Sequence, residues 1–187
     1  IVVYVRTKGV QVHADYAAKA NDKFEYDNKG CRFEPHILPV VLTQTVVLKN
    51  SDPVGHNSNL QPLGDQGINP LIPANGEVAH KFNRAQLLPV PVTCNIHPWM
   101  KAYAVFRKDG YVAVSGSDGS FTIPDLPAGE VIEFQVWHER SSGPNGALGI
   151  DKADLKWTPK GRFQIKLQEN EVKDLGTLEV PASAIGT

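Results

Sequence analysis

Only one methionine and two cysteines occur among the 187 residues. Two cysteines are too few for a disulfide-built scaffold, so the fold must rest on an apolar core, which a chain of this length can bury. Charge of neither sign dominates: 19 Lys and Arg face 20 Asp and Glu, a net charge of −1. That balance argues against a binder of nucleic acid or of an anionic membrane, which would carry a basic excess. No apolar run approaches the ~18–20 residues that span a bilayer. Long amphipathic helical periodicity is nearly missing, and there is no internal repeat or low-complexity tract. Nucleophile elbow, phosphate loop, zinc-protease motif and paired catalytic carboxylates are all lacking. Asp151-Lys-Ala-Asp154 reads as a solvated turn or short helix without EF-hand spacing.

What is present is ordinary globular composition, 41% hydrophobic and 21% charged, with 16 glycines and 14 prolines spread along the chain. Short β-branched stretches stand out at 1–5, 45–48, 90–94, 102–106, 111–114, 131–136 and 163–167. In Phe163-Gln-Ile-Lys-Leu167 apolar and polar residues alternate at every step, the pattern of a half-buried strand. Turn chemistry separates these stretches at Asp109-Gly110, Asp118-Gly119, Pro127-Ala-Gly129 and Ser142-Gly-Pro-Asn-Gly146. Strands and turns without helices between them predict antiparallel sandwiches. One helix is expected over Asp15–Asn21. A boundary is expected between Phe106 and Val114, giving two domains over 1–110 and 111–187. With Ile1 first and Met100 the only methionine, the chain does not start at its initiator; a removed signal peptide, an excised domain or a longer leader would each explain that.

The densest cluster of chemistry is Thr93-Cys94-Asn-Ile-His97-Pro98-Trp99-Met100. It spaces a thiolate, an imidazole and a thioether three residues apart. Soft sulfur with imidazole suits copper, and a trigonal His₂Cys set with a weak axial Met is the geometry of electron-transfer copper sites. A second histidine is missing from this loop. His56 supplies one in Asn50-Ser-Asp-Pro-Val-Gly55-His56-Asn57, directly after the strand expected at 45–50.

These residues resemble the cupredoxin, or type 1 blue copper, family. The loop Cys-x-x-His-Pro-aromatic-Met is similar to the compact amicyanin-type loop, and Gly55-His56-Asn57 looks more azurin-like. Phe33-Glu-Pro35 ahead of a strand resembles the family's opening F-x-P element. The likeness covers roughly 1–108. The whole chain looks like secreted bacterial cupredoxin proteins of the methylamine-utilisation-like kind, its last part similar to the carboxypeptidase-regulatory-like sandwich. The resemblance implies an all-β fold, a Greek-key cupredoxin β-sandwich followed by a small transthyretin- or Ig-like β-sandwich. It implies one type 1 copper held by His56, Cys94, His97 and the axial Met100. Asn57 matches the asparagine that bonds across to the cysteine loop, and Gly55 the position whose carbonyl can approach the metal. Pro98, having no N–H, stiffens the loop.

A competing reading is a metal-free sandwich with Cys94 bridged to Cys31, which would remove the thiolate. Cys31 otherwise reads as a buried thiol or strand-edge residue near the sandwich end. A sharper alternative is a second metal or redox position made with His36. A binuclear copper centre would need Cys-x3-Cys, which is lacking. His13 and His80 read as surface residues, and His138 as packing or surface. Trp99 and His97 are the expected docking patch for a partner, resting on apolar contact because the net charge is near zero.

The implied function is one-electron transfer, not enzymatic, in the periplasm or another extracytoplasmic compartment. Protein redox partners are expected, such as a cytochrome, a dehydrogenase or a respiratory complex, peripheral membrane association included. The alternatives are a copper carrier, a binding module, or a copper subunit of a larger complex using Lys8–Gly30 as an attachment segment.

Overall fold

The structure, a computed structural model, describes residues 1–150, 152 and 154–186, with Ala20 described in its backbone alone. The turn expected over 151–154 includes Asp151 and Ala153, which lie outside the described residues. The described chain divides into two units: Ala14–Gly110, and Ile1–His13 together with Tyr111–Thr187. The chain passes between the units at His13/Ala14 and at Gly110/Tyr111, so residues 1–13, expected with the first domain, belong to the unit that holds Tyr111 onward.

Strand β1 (Val2–Val5) explains the difference. All four of its residues are buried, the signature of a strand covered on both faces. Its partners lie more than a hundred residues away. In chain order the other elements are α1 (Ala14–Ala18), β2 (Lys23–Asn28), β3 (Phe33–Glu34), β4 (Ile37–Val41), β5 (Thr45–Asn50), β6 (His56–Asn57), β7 (Asn59–Leu60), β8 (Leu71–Ile72), β9 (Glu77–His80), β10 (Val90–Thr93), β11 (Lys101–Arg107), β12 (Val112–Val114), β13 (Val131–Trp137) and β14 (Arg162–Lys166). β1 lies between β12 and β13 in an antiparallel sheet of order β12-β1-β13-β14. Among the described residues the second unit holds this one four-stranded sheet, where a two-sheet sandwich was expected.

The Ala14–Gly110 unit has two four-stranded sheets, β3-β2-β5-β9 and β4-β11-β10-β7, and the small pair β6-β8. β2 runs parallel to β5 and β4 parallel to β11, so each sheet contains a crossover rather than a meander. The buried side chains form one cluster: Tyr26, Val46 and Leu48 from one sheet, and Leu38, Val92, Ala104 and Phe106 from the other. Part of Lys8–Gly30 is built into this unit. Lys23–Asn28 is a full sheet strand, and its Tyr26 is completely buried in the core. The helix expected at 15–21 is α1 followed by a 3-10 turn at Lys19–Asn21.

The long connection after β7 is clasped by Asp65, whose carboxylate accepts N–H bonds from Asn83, Arg84 and Gln66 at 2.7–2.9 Å. Burial pushes this carboxyl up, but the three N–H groups outweigh it and leave it below its ordinary range. A folded-state value below the unfolded one makes the carboxylate stabilising above about pH 3.9, and that contribution disappears as pH falls through the folded value. Asp65→Asn should therefore flatten the acid limb of stability below about pH 4, read from urea unfolding at stepped pH. An acid limb identical to wild type would remove Asp65 from the clasp.

Candidate metal centre

Strand β5 ends in Asn50, and the loop from Ser51 to Gly55 brings the chain to His56. Polar residues that the core cannot absorb without partners shape this loop. Asn50 is buried; its Nδ2 donates to the carbonyls of Val54, Ile72 and Pro73 at 2.8–3.1 Å, and its Oδ1 accepts from the Asp52 N–H at 3.0 Å. Asp27 takes the Ser51 N–H and hydroxyl. His56 then pairs with Ile72 in the β6-β8 ladder and is 0% exposed. Asn50→Ala should cost about 3 kcal/mol in denaturant unfolding, since it strands buried carbonyls as well as losing bonds worth about 1 kcal/mol each. A loss below about 1 kcal/mol would show that water replaces the amide.

The second loop joins β10 to β11. Cys94 follows the last residue of β10, and its N–H donates to the Met100 carbonyl at 3.4 Å; the Met100 N–H donates to the His97 carbonyl at 2.9 Å. These two bonds close the loop on itself. Cys94 and Met100 are buried in the common core cluster, while His97 is half-buried and Pro98 and Trp99 are exposed.

Cys94 Sγ lies 4.0 Å from His56 Nδ1 and 3.7 Å from His97 Nδ1, and the two imidazole centroids are 4.6 Å apart. With bonds of about 2.0 Å to imidazole nitrogen and about 2.3 Å to thiolate, two ligands at 120° stand about 3.7 Å apart. The two sulfur–nitrogen distances are close to that spacing, and all three donor atoms lie within 4.8 Å of one another, a cluster that suits a soft or borderline ion. Asn57 Oδ1 accepts the Asn95 N–H at 2.8 Å and lies 3.3 Å from Cys94 Sγ, tying β6 to the cysteine loop. Gly55 immediately precedes His56; a Cβ there would meet only Leu71 and the Ile72 carbonyl at ordinary distance, so packing does not demand glycine.

Both cysteines are free thiols, so the Cys31–Cys94 bridge is not formed. Cys31 is half-buried and packs against the core. It groups with Asp52 and His56 rather than with His36, which is exposed and edge-on to Tyr103. His13 is exposed, His80 is half-buried against Phe82, and the His138 Nδ1 accepts the Arg140 N–H. Trp99 is 66% exposed, its ring 5.2 Å from that of His97 and its Nε1 donating to the Cys31 carbonyl at 3.2 Å. Val54, Leu71 and Ile96 are also exposed on the segments around the ligands. The sequence reading missed these three, and also Asn50 and Asp52. The Asx residues ahead of Pro53 were the available signal for a built loop.

No protein-family model and no curated protein sequence matches the chain. Solved structures do. A copper-containing nitrite reductase from Thermus scotoductus SA-01 aligns with 46% of this chain at 19% identity and a TM-score of 0.41; the chain spans 22% of that enzyme's length. A mutant of amicyanin in its reduced Cu(I) form aligns over 56% of this chain and 98% of its own, at 21% identity and a TM-score of 0.41. A purple cupredoxin from Nitrosopumilus maritimus aligns over 44% of this chain and 98% of its own, at 20% identity and a TM-score of 0.37.

Proposed function

We propose that Ala14–Gly110 is a cupredoxin-type, mononuclear copper electron carrier. The observation that carries this reading is one buried cysteine sulfur flanked by two imidazole Nδ1 atoms at trigonal spacing. His56, Cys94 and His97 would hold the metal, with the buried Met100 at the end of the same loop as a further sulfur donor and Gly55 preceding His56. Bound copper supplies a one-electron change between Cu(II) and Cu(I).

The chain's own residues supply the rest. Asn50 and Asn57 hold the two loops in one arrangement, which keeps reorganisation small when the charge changes. Burial of His56, Cys94 and Met100 excludes water. His97, half-buried under the rim, is the route by which an electron enters or leaves. Trp99, Ile96, Val54 and Leu71 form the apolar collar on which a protein redox partner docks, a cytochrome, dehydrogenase or respiratory complex in an extracytoplasmic compartment such as the periplasm. Because protein side chains fill the donor set, substrate has no open position and the reading is of a carrier rather than an enzyme. No helix among the described residues is long and apolar enough to cross a membrane.

Loading the metal-free protein with one equivalent of Cu(II) tests the reading. An intense visible thiolate-to-Cu(II) band with narrow EPR hyperfine splitting is expected, both lost on one-electron reduction and restored on reoxidation. A colourless Cu(II) complex would overturn it.

A further inference from the structure

The buried carboxylate of Asp52 plays no part in the reading above, yet it stands directly behind a proposed ligand. Its Oδ2 lies 2.9 Å from His56 Nε2, the ring nitrogen remote from Cys94. The same Oδ2 accepts the Cys31 N–H at 2.8 Å, and Oδ1 accepts the Gly30 N–H at 2.6 Å. Cys31, Asp52 and His56 bring donor atoms together as a metal site would. Three N–H groups already occupy the carboxylate oxygens, however, and His56 Nε2 must carry its proton to bond with them. The cluster is therefore a hydrogen-bond hub.

Its construction is costly and local. Gly30 and Cys31 form the two-residue turn between β2 and β3, closed by reciprocal Lys29–Arg32 backbone bonds, and both have positive φ, 62° and 51°. Such a hairpin turn suits glycine and asparagine, whereas the Cβ of a cysteine strains the backbone in this region. The turn aims two successive N–H groups at one carboxylate and so fixes its orientation. The Trp99 indole braces the far side of the same turn through the Cys31 carbonyl.

We propose that Asp52 is a positioning residue for His56: it holds the ring as the Nε2–H tautomer, leaves Nδ1 as the lone pair facing Cys94, and biases a bound metal toward its more oxidised state. The metal clause rests on the copper reading; the tautomer clause does not. A carboxylate behind a ligating imidazole fixes the ring and raises its basicity, and losing such a partner costs about 10–100-fold in metal affinity. An anion at this place favours Cu(II) over Cu(I).

Long-range ¹H–¹⁵N NMR of the metal-free, full-length protein is the first measurement. His56 is expected as the Nε2–H tautomer with a proton that exchanges far more slowly than that of exposed His13. An Nδ1–H tautomer in wild type overturns the proposal whatever the copper spectrum shows. Asp52→Asn keeps an acceptor and removes the charge. It should retain the tautomer and weaken Cu(II) binding about tenfold more than Cu(I), a potential rise of about 59 mV for a one-electron couple. Asp52→Ala should mix the tautomers and speed exchange. An unchanged potential in Asp52→Asn, with the wild-type copper band present, overturns the metal clause. A missing copper band in wild type would instead count against the copper reading and leave the NMR result standing.

Discussion

Cys94→Ser should abolish the visible thiolate band completely and convert any residual Cu(II) signal to one with wide hyperfine splitting. The reason is chemical, because the band needs a sulfur orbital and a serine hydroxyl is not deprotonated at neutral pH. Geometry would change little. Serine is nearly the size of cysteine, and the backbone bond from residue 94 to the Met100 carbonyl is independent of the side chain. The folded stability of the metal-free protein is thus expected to stay within about 1–2 kcal/mol of wild type, the ordinary range for a single substitution, while the spectroscopic change is total. Cys31→Ser is the matched control. Cys31 meets Asp52 through its backbone N–H, so its replacement should leave the copper band in place. If Cys94→Ser keeps the band, Cys94 is not the thiolate ligand.

Deleting residues 1–7 should unfold the second unit altogether. β1 is an interior strand, paired on one side through Val2–Val114 and on the other through Val2–Trp137. Val2, Val3, Tyr4 and Val5 are each no more than 2% exposed. At about 1.5–3 kcal/mol for each fully buried large side chain, the loss is roughly 6–12 kcal/mol before the broken ladder is considered. That is comparable to the entire stability of an ordinary domain, about 5–15 kcal/mol. Ala14–Gly110 has its own sheets and core, so its resonances and copper spectrum should survive. ¹H–¹⁵N correlation spectra of the truncated chain decide it. Retention of dispersed signals from β13 and β14 would show that β1 is dispensable.

Much of this protein is legible along the chain because its strongest signals are local. The apolar run Ala102–Phe106 and the β-branched stretch Val131–Val136, with Glu133 and Gln135 interspersed, declare strands by composition and period alone. The Cys-x2-His-x2-Met spacing sits on one tight loop, where three donors are neighbours before any tertiary contact forms. β2 was harder. Lys23-Phe-Glu-Tyr-Asp-Asn28 carries four polar or charged residues among six, and its strand character comes from burying Tyr26 against a partner, β5, about twenty residues on. Asp52 was hidden for a related reason. Nothing near it in sequence distinguishes a loop aspartate from one captured by a turn at residues 30 and 31.

The single methionine, the paucity of cysteine and the spacing of Cys94, His97 and Met100 already set the donor types and local order of the candidate loop, since residue types and short spacings are properties of the covalent chain. Tertiary structure alone decided three further matters. It placed β1 in the sheet of the second unit, because pairing energy depends on which edges are free. It brought His56 to Cys94 and His97 at ligand spacing. It also locked the Asp52 carboxylate behind His56 by docking the turn at residues 30 and 31 onto it. Each joins groups about twenty or more residues apart in the chain, where sequence carries residue identity but no distance.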